Sequence, residues 1–180
     1  EKIRAVMDWP VPGCVKDVRA FVGLASYYRK FVQGFAEIAS PLHALMKKDV
    51  KFKWDEDHQR AFERLKQALI EAPILVTPDD EHTFILDTDA SNHSMGAVLS
   101  MVIEGREHVV AYASRAFSKC ERNYCVTRRE LLAVVTFLKH FKQYLLGRHF
   151  VVRTDHLAQQ WFKSSKEPVE QPRRWLEMMR

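Results

Sequence analysis

The sequence predicts an α/β fold in which an N-terminal helical module is followed by a mixed β-sheet with flanking helices. Three observations carry this prediction. Apolar residues recur at three- and four-residue steps through the first third of the chain. Past Pro78-Asp79-Asp80 the texture changes to short runs rich in β-formers. A long amphipathic stretch then separates a third such run from a fourth, giving the order β-β-β-α-β-α. At 180 residues, with 47% apolar and 28% charged, the chain can bury a real core, which excludes disordered, collagenous and fibrous classes. Its longest uninterrupted apolar stretches, such as Leu131 to Val135, fall far short of the roughly 20 residues needed to cross a bilayer.

The first element follows the turn at Pro10, Pro12 and Gly13: Val15, Val18, Phe21, Val22, Ala25, Tyr28 and Val32 form one face of a helix from Val15 to Val32. A short helix is expected around Ile38 to Met46, with Pro41 tolerated in its first turn. A third starts at Asp55, carries Phe62, Leu65, Leu69 and Ile70 on one side, and ends before Pro73. A boundary near residue 80 then divides the helical module from an α/β module. There, Thr83 to Asp89, Ala97 to Ile103 and His108 to Ala113 read as antiparallel strands, with Glu104-Gly105 as a hairpin turn. Tyr124 to Tyr144 reads as one long helix with the stripe Leu131, Val134, Val135, Leu138, Phe141 and Leu145, closed by Gly147. Phe150 to Thr154 is the fourth strand, and a short helix is expected from His156 to about Phe162.

The net charge of +5 favours a polyanionic partner without demanding one, because the basic residues are interleaved with acids. Cys14, Cys120 and Cys125 are odd in number and lack CxxC spacing, so a reducing compartment is expected rather than a disulfide framework or a structural zinc site. The opening at Glu1 and the stop at Arg180 within an unfinished helical pattern suggest a piece of a longer protein.

Candidate chemistry rests on carboxylates. Asp87 and Asp89 alternate in one strand and so share a side of it. Taken alone they read as acids at a solvated strand end. Glu130 lies near the start of the long helix, and Asp155 at the end of the fourth strand. Each has a structural alternative: Thr127-Arg-Arg-Glu130 matches a capping box, and Asp155 could cap the helix beginning at His156. If the three segments meet, carboxylates about 4 Å apart repel by roughly 4 kcal/mol per pair at an effective dielectric of about 20, which divalent cations would offset. Oxygen-only ligands select Mg2+ or Mn2+ over zinc and suit phosphoryl chemistry. The histidines include no HExxH, and the serines and glycines form neither a nucleophile elbow nor a phosphate-cradling loop. The run Ser26 to Phe31 interleaves aromatic and basic residues that could follow a nucleic-acid backbone, although half of it belongs to a core face.

Several segments taken in series resemble a known family. Trp9-Pro-Val-Pro12, Phe21-Val-Gly-Leu-Ala25-Ser-Tyr-Tyr-Arg-Lys-Phe31, Ile38-Ala-Ser-Pro-Leu42, Phe52-Lys-Trp54, Ala61-Phe62 and Leu65-Lys66 resemble the thumb and following helix of gypsy-type LTR retrotransposon reverse transcriptases. Thr88-Asp-Ala-Ser91, Gly96-Ala-Val-Leu99, Tyr112-Ala-Ser-Arg115, Asn123-Tyr124, Glu130-Leu-Leu-Ala-Val134, Tyr144-Leu145, Gly147, Thr154-Asp-His156 and Arg174-Trp-Leu176 resemble that family's ribonuclease H domain. The resemblance implies a thumb-like module over 1–50, a connecting helix and linker over 51–79, and an RNase H-like domain over 80–180 that is truncated before its last elements.

The resemblance also implies a role for each acid: Asp89 bridges two metals, Mg2+ or Mn2+, Glu130 and Asp155 hold one of them, and Asp87 is a bystander. The family's fourth carboxylate, in a segment beyond the Arg-Trp-Leu motif, has no match here, so this chain alone is expected to be a weak or inactive nuclease. The YxDD-type palm aspartates are missing as well, so it is not expected to synthesise DNA. Gln159 stands where the family usually has Leu, a departure that touches local helix packing. The activity implied is hydrolysis of the RNA strand of an RNA–DNA hybrid; the alternative is a catalytically inactive fragment that binds nucleic acid or a partner. Arg115, Lys119, Arg128 and Arg129 are candidate contacts to the hybrid. The other expected partner is the remainder of the polyprotein, meaning palm, fingers and integrase, in a cytoplasmic virus-like particle or the nucleus rather than in a secreted form.

Overall fold

The computed structural model describes residues 6–155. The expected helix 156–162, Gln159 and the Arg174-Trp-Leu176 motif lie outside these residues.

The helical module consists of α1 (Val15–Tyr27), a 3-10 turn (Arg29–Phe31), α2 (Phe35–Ile38), α3 (Ser40–Leu45) and α4 (Glu56–Ile70). The predicted first helix is thus shorter than its apolar pattern, because the chain tightens to 3-10 after Tyr28 and is extended by Val32. The second divides in two at Ala39, with Pro41 in the first turn of α3 as expected. Asp55 caps α4 by accepting from the backbone N–H groups of Asp57 and His58. Val18, Phe21, Leu42 and Leu65 are wholly buried in one shared cluster. Phe21 is its centre, 4.6 Å from the Phe62 ring and 5.9 Å from that of Trp9. Truncating such a ring to alanine costs about 3–5 kcal/mol.

The second cluster is built on a four-stranded sheet of order β3-β2-β1-β4, comprising β1 (Phe84–Ala90), β2 (Ser94–Ile103), β3 (Arg106–Ala116) and β4 (Phe150–Arg153). The β2–β3 hairpin closes in two residues because Glu104 and Gly105 both take positive φ, 50° and 76°, which matches the right-handed twist of the strands. β1 pairs antiparallel with β2 and parallel with β4, so the connection from β3 to β4 must cross over, and it does so through α5 (Val126–His140) and α6 (Lys142–Leu145).

The long helix predicted over Tyr124 to Tyr144 is therefore two helices, broken at buried Phe141. A 3-10 turn (Glu121–Asn123) precedes them. The sheet-facing side also differs from the predicted stripe. Leu132, Ala133, Phe137, Phe141 and Leu145 pack in the cluster with Phe84 and Leu86, while Leu131, Val134 and Val135 are buried outside it. Periodicity alone could not choose between faces on a helix apolar almost all round. Gly147, at φ 76°, ends this stretch as expected.

The helical module covers the edge of the sheet. α2 packs on β3, with the Ala36 N–H donating to Ser114 Oγ at 2.8 Å. Val76 N–H adds a bond to Val109 O at 2.9 Å. The second bond occupies a backbone carbonyl on an edge strand that would otherwise be open to pairing.

Candidate active site

β1, β4 and α5 bring the three predicted acids to one end of the sheet. Asp89 is the next-to-last residue of β1, exposed, and paired across the ladder with Gly96. Because Gly96 has no side chain, β2 places none directly across from the Asp89 carboxylate. Asp155 is also exposed, and lies two residues past the last paired residue of β4, Arg153. Glu130 differs in being only 4% exposed.

The structural alternative for Glu130 fails. α5 begins at Val126 with Cys125 as its N-cap, and no side chain bonds the cap. Glu130 Oε1 instead accepts from Ala90 N–H at 3.2 Å, tying the helix to the end of the catalytic-candidate strand. Its Oε2 is buried without a hydrogen-bond partner. Burial raises the carboxyl's pKa, and the negative charges of Asp89 and Asp155 add to the shift, against the opposing pull of Ala90 N–H and Arg129, to about 7. Glu130 therefore senses both of the other acids.

Convergence is looser than ligation, however. Among the described residues no group of three or more acids, histidines or cysteines stands close enough to hold an ion as placed. The expected bridging reach is thus not present in this geometry, in which two of the acids face water and one is buried. The donor set still suits a hard divalent cation: it is all oxygen, and it includes a buried carboxylate atom with no partner.

A cleft of about 420 Å³ opens on the Asp87 and Asp89 face of the sheet. Its lining includes Asp87, Asp89 and Arg153 from the sheet, and Gln33, Gly34 and Glu37 from the helical module. Glu37 reaches across to Ser94 Oγ at 3.4 Å. Three carboxylates against one guanidinium make this cleft unfavourable for phosphates unless cations accompany them.

The four candidate nucleic-acid contacts separate. Lys119 is exposed, and Arg128 lies 5.1 Å over the Tyr124 ring. Arg115 shares its guanidinium with Glu121 at 2.8 Å. Arg129 is a correction: it is buried, and donates to Ser91 O at 3.1 Å and Asn92 Oδ1 at 2.8 Å. It latches the β1–β2 turn because its position on α5 faces inward, beside Glu130. Asp87, a bystander in the resemblance, is engaged by Arg153. The sequence reading missed Arg153, Glu107 and Glu37. Arg153 was within reach, since period two places it beneath Asp155 as Asp87 lies beneath Asp89.

Comparison with known proteins fits this arrangement. Residues 54–152 match the family described as the RNase H-like domain found in reverse transcriptase. The chain belongs to this family. Among curated relatives, it is 42% identical over 175 residues to the Retrovirus-related Pol polyprotein from transposon 297 of Drosophila melanogaster, covering 97% of this chain and 16% of that polyprotein. It is 38% identical over 159 residues to the Transposon Tf2-3 polyprotein of Schizosaccharomyces pombe, covering 87% of this chain and 12% of that one. The RNase H-like chain thus spans about a sixth or less of these relatives, and the expected kinship with LTR retrotransposon polyproteins is borne out. A solved foamy viral protease-reverse transcriptase in complex with RNA/DNA hybrid superposes with a TM-score of 0.77 at 23% identity, covering 99% of this chain and 25% of that one. The same enzyme in complex with dsDNA gives 0.80 at 23%, covering 99% and 38%. At that identity the likeness establishes the fold. The family match begins at residue 54, so it includes α4 and the linker as well as the sheet.

Proposed function

We propose that this RNase H-like domain hydrolyses the RNA strand of RNA–DNA hybrids, with Asp89, Glu130 and Asp155 as its catalytic carboxylates. The observation that carries the reading is Glu130, a buried acid that neither caps its helix nor pairs with a cation, and whose free oxygen lies at the end of the sheet where Asp89 and Asp155 converge. Its bond to Ala90 N–H sets the orientation of the carboxyl relative to Asp89 one residue earlier.

These three residues would hold Mg2+ or Mn2+, which when bound activates water and neutralises the leaving oxygen. The chain's own contribution is positional. Gly96 leaves space beside Asp89, Arg129 fixes the turn that follows it, and Glu37 and Gln33 wall the cleft from the helical side. Lys119, Arg128 and Arg115 lie outside that cleft lining and are proposed to bind the hybrid's phosphates. The rest of a polyprotein, including polymerase modules, is the proposed covalent partner.

The test is cleavage of a hybrid labelled on its RNA strand, in Mg2+ and in Mn2+, with single-stranded RNA and duplex DNA as controls. Hybrid-specific cleavage that Asp89→Asn and Glu130→Gln each abolish supports the reading. Hybrid binding without cleavage, unchanged by either substitution, favours the inactive binding fragment instead.

A further inference from the structure

We infer that Arg153 is a positioning residue, which anchors the end of β4 to β1 and β3 and thereby sets where Asp155 stands relative to Asp89. The inference rests on the proposed carboxylate site and deepens it.

Arg153 is placed to act there. β4 is four residues long, it pairs with β1 among the described residues, and its ladder ends at the Asp87–Arg153 pair. Asp155 follows two residues later, so whatever fixes the end of β4 bears on where Asp155 stands. Arg153 fixes that end to two other strands. Its Nε and one terminal nitrogen donate to the two oxygens of Asp87, each at 2.6 Å. The terminal nitrogens also donate to Glu107 Oε1 at 2.8 Å and Oε2 at 2.7 Å. One planar guanidinium is thus forked to two carboxylates on two different strands, a geometry available to arginine and not to lysine.

The fork has a second consequence. Asp87 is the acid nearest Asp89 on the same face of β1 and could compete with it for a cation. With both oxygens committed to Arg153, it is withdrawn from that competition. The residues of the clamp are between a third and a half exposed. Exposed ion pairs contribute little to global stability. The clamp's effect is therefore local geometry, and its loss should be separable from unfolding.

The experiment titrates Mn2+ into the chain, with free ion read by electron paramagnetic resonance, for the unsubstituted protein, Arg153→Gln, Arg153→Lys, Glu107→Gln and the double variant Asp87→Asn/Arg153→Gln. Circular dichroism checks that each is folded. Arg153→Gln is expected to weaken Mn2+ binding about tenfold, the loss typical when a residue orienting a metal ligand is removed. Arg153→Lys should recover part of it, and Glu107→Gln should show a smaller loss in the same direction. The double variant, in which the freed Asp87 carboxylate is gone as well, should keep the loss, so that the loss traces to the end of β4 and not to the released carboxylate. A folded Arg153→Gln that binds Mn2+ as the unsubstituted chain does would overturn the inference. Should that variant not fold, unchanged binding by Glu107→Gln would overturn it equally. Asp89→Asn serves as the reference: if the unsubstituted chain binds Mn2+ no better than Asp89→Asn, the proposed site fails and the inference with it. If Asp89→Asn abolishes binding while the clamp variants behave as the unsubstituted chain, the inference alone fails.

Discussion

Replacing Glu130 by Gln should change how stability depends on pH, and the size of the change follows from the structure. Glu130 is 4% exposed, and its pKa is raised from 4.5 to about 7. A group whose folded pKa exceeds its unfolded value holds its proton more tightly in the native state. Its contribution is therefore fully present below about pH 4.5 and is lost as pH rises through about 7. At about 1.4 kcal/mol per unit, that loss amounts to about 3 kcal/mol. Glutamine keeps the acceptor for Ala90 N–H and does not titrate. His43 and His140 are shifted the other way, below the usual histidine range, mainly by burial, and so add stability as pH rises. For this reason the informative quantity is the difference between the two proteins.

The assay is urea unfolding in a chelating buffer from pH 5 to pH 8. The unsubstituted chain should lose about 2.5 kcal/mol relative to Glu130→Gln across that window, the rest of the loss falling below pH 5. Parallel curves, differing by less than about 0.5 kcal/mol at every pH, would refute the idea that Glu130 is buried among like charges. Restoring Mg2+ at pH 8 should stabilise the unsubstituted chain more than the variant, because an ion bound only by the native state adds to its stability.

Other consequences can be checked on the same preparations. Arg129→Ala removes the two hydrogen bonds that a buried guanidinium makes to Ser91 O and Asn92 Oδ1 and should destabilise the chain by about 1–3 kcal/mol by urea unfolding, while the salt dependence of hybrid binding stays unchanged, since Arg129 is a latch. Lys119→Ala should weaken hybrid binding and lower the slope of log affinity against log salt by about 1, as read by fluorescence anisotropy at several ionic strengths. Asp55→Ala removes the acceptor for Asp57 and His58 N–H at the start of α4, and should cost about 1 kcal/mol in thermal or urea unfolding.

Local physics made much of this protein legible without coordinates. Apolar spacing placed α1, α3 and α4, because each has a distinct wet face. Alternation and the Glu104-Gly105 turn placed the hairpin, because a two-residue loop with positive φ at both positions admits few residue types. The motifs around Asp89, Glu130 and Asp155 named the acids and the family together.

The sequence could not say what each side chain faces once distant segments meet. Glu130 fits a capping box, yet its carboxyl turns to Ala90, forty residues away in the chain. Arg128 and Arg129 are neighbours of the same type, but helix rotation gives one the Tyr124 ring and buries the other against the β1–β2 turn. Arg153, Asp87 and Glu107 form a single clamp from three strands, and nothing local to any of them specifies the other two. Residue type and spacing determined which groups this chain owns. Strand order, register and helix rotation, which depend on burying the whole core at once, decided which of those groups act on one another.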